Sequence, residues 1–237
     1  MPLRGALAGK LPKLVMFDLD GTLIDSAPDL AAAVDNTLQA LGRAPAGLEN
    51  VRNWIGNGAR VLVRRALADG MAHEHIDEAQ AQSALELFMH AYADNHLLTT
   101  VYAGVVEALD WLQKQGVMMA VVTNKPERFV APLLDEKGLG GYFRWIIGGD
   151  TLAQQKPDPA ALLHVMHMAK VTAEQSLFVG DSRNDVLAAK AAGVTCVALN
   201  YGYNHGRPIS EECPACVLED LRGLIPLISF NSGVSPG

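Results

Sequence analysis

Two aspartates stand two apart at the end of an apolar run, Leu14-Val15-Met16-Phe17 leading into Asp18-Leu19-Asp20-Gly21-Thr22. Side chains alternate along an extended chain, so Asp18 and Asp20 face one way while Leu19 turns back to pack. At ~4 Å and an effective dielectric of ~20, two such charges repel by about 4 kcal/mol unless a cation joins them. Carboxylate oxygens are hard ligands that suit Mg²⁺. An EF-hand is excluded, because that loop has acids at positions 1, 3 and 5 and Gly at 6, whereas Gly21 would occupy position 4. A plain polar turn does not account for both carboxylates.

Three other apolar runs end in polar groups. Val121-Val122 leads into Thr123-Asn124, a hydroxyl and an amide able to hold a phosphate oxygen, although Thr-Asn also caps helices. Lys156-Pro157-Asp158-Pro159 places a lysine before two prolines that restrict the backbone. A lone loop lysine is ordinarily solvated, so Lys156 draws its meaning from its company. Leu177-Phe178-Val179 leads into Gly180-Asp181-Ser182-Arg183-Asn184-Asp185. A helix starting there stacks Asp181 and Asp185 one turn apart, an arrangement that a simple pair of dipole partners would share.

The elements that must position these groups are short apolar strands at 14–19, 117–123, 145–148, 177–180 and 194–199. Segments of helical length separate the later ones, as at Pro126–Lys137 and Pro159–Lys170. Wholly apolar strands alternating with helices predict an α/β fold, a doubly wound parallel sheet of Rossmann-like type. The polar groups then fall at the carboxyl ends of successive strands, where open α/β sheets bind ligands.

About 90 residues of mainly helical pattern separate the first two strands. Ser26 is placed to be an N-cap, with Pro28 in the first turn and Asp29 at the positive end of the helix dipole. Leu30, Val34, Leu38 and Leu41 follow at helical spacing. A second helix is predicted from Ala59 and a third from Ile76 to Asn95. We therefore expect an inserted all-helical cap at 26–98 and a discontinuous core at 1–25 and 99–237. The small, polar tail from Ser229 to Gly237 is expected to be disordered.

Composition narrows the function classes. The 237 residues are 49% apolar and 19% charged, an ordinary globular balance. Nineteen Lys and Arg against 26 Asp and Glu give a net charge of −7. That argues against nucleic acid or anionic membrane as partner, since both demand clustered cations. The longest apolar run, Val117–Val122, is far shorter than the ~18 residues of a membrane helix. No signal-like segment follows Met1, and a soluble, cytoplasmic protein is expected. Cys213 and Cys216 have dithiol spacing, but no second pair completes a zinc site and Glu211 and Glu212 precede them. They are expected to be reduced thiols near the surface.

In order and spacing, Asp18-x-Asp20-Gly21-Thr22, Thr123, Lys156 and Gly180-Asp181-Ser182-x-x-Asp185 resemble the four motifs of the haloacid dehalogenase superfamily. More narrowly, Trp54-Ile55-Gly56-Asn57-Gly58-Ala59, Thr123-Asn124-Lys125-Pro126 and Tyr201-Gly202-Tyr203-Asn204 are similar to the phosphoglycolate phosphatase family. The resemblance spans about Leu14 to Arg207. It implies that Asp18 is a nucleophile forming an aspartyl-phosphate, and that Asp20 protonates the leaving alcohol and then deprotonates water. It further implies Mg²⁺ held by the Asp18 carboxylate, the Asp20 backbone carbonyl and Asp181, with Asp185 in support. Thr123, Asn124 and Lys156 would bind phosphoryl oxygens, and Mg²⁺ and Lys156 are the evident sources of positive charge.

The substrate implied is a small phosphate ester, 2-phosphoglycolate first. Gly56 and Gly58 let the turn before the second cap helix approach a ligand, and that helix's N-terminus suits a carboxylate. Arg52 and Arg60 flank the turn, and His205 lies in a loop facing the cap. His73, His75, His164 and His167 are read as structural. The rival activity is a phosphosugar mutase, which uses the same aspartates but returns the phosphoryl group to a sugar. Dehalogenation needs no second acid at position 20, and a non-catalytic module would not need every motif position filled as it is here. The sequence leaves the oligomeric state open.

Overall fold

Strand β1 (Leu14–Phe17) is wholly buried because both faces of the sheet around it are covered. In this computed structural model, which describes residues 10–93 and 97–229, β1 pairs in parallel with β4 (Met118–Val122) and β6 (Ser176–Gly180). Outside these lie β5 (Trp145–Ile147) on one side and β7 (Thr195–Leu199), then β8 (Cys216–Leu218), on the other. The order β5-β4-β1-β6-β7-β8 is parallel throughout.

Alternation along β1 sorts its residues between two cores. Val15 and Phe17 join Val121 and Val179 under α5 (Val105–Lys114), α6 (Val130–Glu136) and α9 (Leu224–Ile228). Leu14 and Met16 join Ala120 and Phe178 over α7 (Ala160–Ala169) and α8 (Arg183–Ala191). The result is a Rossmann-like three-layer core. From β1 the chain runs outward through β4 to β5 and then crosses back to β6 on the other side of β1, a reversal that opens a crevice at the carboxyl ends of these strands.

The predicted strands are all present; four are trimmed by one or two residues, and β6 begins one residue earlier, at Ser176. β8 was not foreseen: its Cys-Val-Leu is apolar but only three residues long, too short to mark a strand. Cys213 and Cys216 are unbridged, exposed and half-buried respectively, as expected. The stretch from Pro126 to Lys137 is split, a 3₁₀ turn at Glu127–Phe129 preceding α6. No helix among the described residues is long and apolar enough to cross a membrane.

A helical cap rises between β1 and β4: α1 (Ala27–Ala40), α2 (Leu48–Trp54), α3 (Ala59–Ala68) and α4 (Glu78–Ala93). Their apolar faces share one cluster, including Leu30, Val34, Leu38, Val51, Trp54, Leu62, Phe88 and Tyr92. The seven-residue α2 is too short to show a period in sequence. Leu41 departs from its expected inward position because Gly42, at φ +71°, closes α1 with Arg43 N–H bonded to Leu38 O at 2.8 Å; Leu41 swings out to 37% exposure. The predicted end of the third helix at Asn95, and the tail after Ser229, lie outside the described residues.

Two short antiparallel strands, β2 (Ile24–Asp25) and β3 (Thr100–Val101), form the neck between core and cap. Asp29 has more to do there than face a dipole. It is 1% exposed and accepts from Thr99 N and Thr99 Oγ1, each at 2.6 Å, and from Leu98 N at 3.2 Å, tying the returning chain to α1. Ser26 precedes α1 but makes no side-chain cap; its hydroxyl is used at the site described next.

Candidate active site

Asp18 follows the last residue of β1 and sits in the crevice with 8% of its surface exposed. Lys156 Nζ lies 2.9 Å from Asp18 Oδ1 and 2.6 Å from Asp185 Oδ1. Apart from the Lys156 ammonium, the buried Asp18 Oδ1 has no donor directed at it. Burial, reinforced by Asp185 and Asp20 and opposed by Lys156, raises the Asp18 pKa from 3.8 to about 7. Burial, with Asp185 and Asp18, also raises Asp181. Burial works against the charge on Lys156, but Asp18 and Asp185 outweigh it and hold its pKa above the ordinary value.

The other two carboxylates are held by the local fold. Asp185 Oδ2 accepts from Asp181 N, Ser182 N and Ser182 Oγ, a reciprocal cap at the start of α8. Asp181 receives Thr22 Oγ1 on Oδ1 and Tyr203 N on Oδ2, both at 2.6 Å. Gly21 (φ +90°) and Gly202 line its carboxyl so closely that a Cβ on either would collide with it.

Oxygens of Asp18, Asp181 and Asp185 all lie within 4.8 Å of one another. Three clustered buried carboxylates, only two of them paired with the Lys156 ammonium, form a donor set that fits a hard divalent cation. The Asp20 carboxylate is not one of this group; it is engaged by Ser26 and Lys125 instead.

This arrangement has a pH signature. Asp18 is raised in the fold, so without metal its contribution to stability is full below the unfolded value of 3.8 and is lost as pH rises through about 7. A divalent cation binds the ionised form. The rise in melting temperature on adding Mg²⁺ is therefore expected to be larger at about pH 8 than at about pH 5. Thermal scans at both values check this; a shift independent of pH would contradict the carboxylate donor set.

A second group forms around Asp20. Oδ1 accepts from Ser26 Oγ at 2.5 Å and from Lys125 Nζ at 3.1 Å, and the same Nζ lies 3.4 Å from Oδ2. Lys125 Nζ also donates to the Tyr92 hydroxyl at 2.6 Å. Burial opposes the Lys125 charge, but Asp20 and then Tyr92 outweigh it and raise its pKa. Sequence reading missed both residues as parts of the site. Lys125 entered only as a member of the stretch Thr123-Asn124-Lys125-Pro126, with no role given to it, and Tyr92 did not enter at all. The one available signal was the place of Lys125 beside Thr123 and Asn124 in that stretch.

Thr123 is 3% exposed, and its Oγ1 accepts from Lys125 N at 3.2 Å, leaving the hydroxyl hydrogen able to donate. The Asn124 side chain has other work than the phosphoryl contact expected of it. Its amide donates to Gly56 O at 3.0 Å and Lys156 O at 2.8 Å, and its oxygen accepts from Lys156 N at 3.0 Å. It fastens the Lys156 loop to the cap.

The cap turn at 53–58 is held mainly by its backbone carbonyls. Gly56 O accepts from Asn184 as well as Asn124, Asn57 O from Gln155, and Trp54 O from Arg65. Gly56 and Gly58 have φ of +120° and +83°, and a Cβ at Gly58 would press on Asn124 O at 3.2 Å. Both glycines line the cavity above Asp18 and Asp20, with Ala59, Leu62, Phe88, Tyr92 and Phe129.

The polar neighbours proposed from sequence are placed elsewhere. Arg60 pairs with Glu78 on the surface. Arg52 pairs with Asp25 at 3.2 Å and stands over the Tyr203 ring. His205 Nδ1 contacts Asn53 O at 2.8 Å; burial lowers its pKa, so the neutral Nδ1–H form donates to the cap backbone. His164 and His167 are exposed.

Residues 15–199 match the family described as haloacid dehalogenase-like hydrolase. The phosphoglycolate phosphatase of Pseudomonas fluorescens (strain Pf0-1) is 70% identical over 218 residues, 92% of this chain and 80% of that protein. Phosphoglycolate phosphatase 1 of Pseudomonas aeruginosa is 70% identical over 219 residues, with the same 92% and 80% coverage. The crystal structure of a predicted phosphoglycolate phosphatase from Haemophilus somnus 129pt superposes with a TM-score of 0.85 at 37% identity, covering 91% of this chain and 97% of that one. The resemblance read from the motifs is borne out, and with Asp18, Asp20, Thr123, Lys156 and Asp181 all inside the matched stretch, the chain belongs to the haloacid dehalogenase-like hydrolase family.

Proposed function

We propose that this protein is a Mg²⁺-dependent phosphatase that hydrolyses 2-phosphoglycolate to glycolate and phosphate. The observation that carries the reading is the Asp18 carboxyl group buried beside Lys156 and two further carboxylates, with Asp20 lining the same cavity. The substrate assignment is supported by relatives 70% identical to this chain that are phosphoglycolate phosphatases.

Asp18 attacks phosphorus as the ester P–O bond breaks, and Asp20 passes its proton to the departing alcohol oxygen. Asp20, now ionised, takes a proton from the water that attacks the phosphoaspartyl group; phosphate leaves and Asp18 is regenerated. Lys156 and the Thr123 hydroxyl face the charge on the phosphoryl oxygens, with Asn124 holding the Lys156 loop in place. Asp18, Asp181 and the Asp20 carbonyl, supported by Asp185, would hold Mg²⁺, which supplies charge neutralisation between carboxylates and phosphate. The start of α3 at Gly58 and Ala59 lines the cavity and offers free N–H groups to the glycolate carboxylate. We take residues 26–98 as the cap and the remainder as the core, a division supported by the β2–β3 neck.

Release of inorganic phosphate from a panel of small phosphate esters tests this reading. 2-Phosphoglycolate is expected to exceed the other esters in kcat/KM by about a hundredfold. Equal rates across the panel would overturn the substrate assignment, and transfer of phosphate to a sugar without its release would overturn the hydrolase.

A further inference from the structure

The contact between Lys125 and Tyr92 joins two parts of the molecule that the reaction needs together. Asp20 and Lys125 belong to core loops, whereas Tyr92 is in the last turn of cap helix α4. Lys125 Nζ reaches both Asp20 oxygens, at 3.1 and 3.4 Å, and so sets the plane of the carboxyl group as well as its place. A lysine head on a flexible stem needs a second acceptor to hold one orientation, and the Tyr92 hydroxyl at 2.6 Å is such an acceptor. The Tyr92 ring is fixed independently, stacked on Phe88 at 5.7 Å and edge-on to Phe129 at 5.3 Å. Burial pushes its phenol up to about 12, so the neutral hydroxyl is the form present.

We propose that Tyr92 is a cap-borne positioning residue that acts through Lys125 to aim the Asp20 carboxyl at the leaving-group oxygen, so that proton donation is effective only with the cap seated on the core. The proposal rests on the role given to Asp20 above. Asp20 transfers its proton to the ester oxygen as that oxygen separates from phosphorus; Tyr92 and Lys125 exchange no proton in the step.

Phenyl phosphate and p-nitrophenyl phosphate test it, being similar in shape but different in their need for an acid. Tyr92→Phe keeps the ring and removes the hydroxyl. It is expected to lower kcat for phenyl phosphate about tenfold and for p-nitrophenyl phosphate less than about twofold, with KM and melting temperature little changed. Placed in a Lys125→Met background, Tyr92→Phe should have no further effect, because its route to Asp20 is already gone. Equal losses on both esters, full additivity in the double variant, or unchanged kinetics would each overturn the relay. Asp20→Asn serves as the control for the underlying reading. If its losses do not depend on the leaving group, the acid role itself fails; if they do and those of Tyr92→Phe do not, only the relay fails.

Discussion

Asp18→Asn is expected to reduce phosphatase turnover by more than about four orders of magnitude while making the metal-free protein more stable. The amide is a very poor nucleophile, and no neighbouring carboxylate can take over: Asp185 is committed to the cap of α8, and Asp181 is held by Thr22 and Tyr203. The stability change has the opposite sign because burial raises the Asp18 pKa from 3.8 to about 7. Keeping that group ionised above pH 7 costs on the order of 2–4 kcal/mol, which the neutral amide does not incur. Steady-state kinetics and thermal scans in EDTA check both halves, with mass spectrometry to exclude reversion by deamidation. Activity within a hundredfold of wild type would remove Asp18 from the chemistry. A lower melting temperature in EDTA would mean that the carboxylate is not strained by its burial.

Lys156→Met is expected to have the reverse stability effect from a position 2.9 Å away. Lys156 is 2% exposed and compensates Asp18 and Asp185 at once, so its loss leaves buried carboxylates without that partner. A loss of about 3–5 kcal/mol is expected near neutral pH. Activity should fall by about a hundredfold or more if Lys156 faces the phosphoryl oxygens as proposed. The sign of the pH dependence follows from the same cluster: without Lys156 the Asp18 pKa rises further, so the fold recovers stability as pH falls and the group takes up its proton. Urea unfolding at about pH 8 and about pH 5 measures this. An equal loss at both values would assign the effect to packing of the lysine stem.

The two expectations differ in how visible they were in the chain. Asp18, Asp20, Asp181 and Asp185 could be found because each follows an apolar run at fixed short spacing, and strand alternation dictates which side chains face together. The parallel sheet was legible for the same reason, since β1, β4, β6 and β7 are nearly all apolar. Lys156 could be placed only by its order among the motifs. Lys125 could be named within its motif stretch but given no role: a lysine after a strand end is solvated in most proteins, and its partner Asp20 is 105 residues distant.

Local periodicity and residue chemistry therefore determined which groups this protein can bring to a reaction, the class of fold that carries them and the end of the sheet where they gather. The tertiary structure alone decided the strand order, with β1 between β4 and β6, and the unforeseen edge strand β8. It alone decided that Gly56 O is shared by Asn124 and Asn184, that Asp29 ties the neck, and that Lys125 spans from Asp20 to Tyr92. The physical reason is range. A period of two or 3.6 residues reports which face of an element is apolar, whereas a hydrogen bond between elements depends on how two folded surfaces meet, and Thr22 and Asp181 meet across 159 residues of chain.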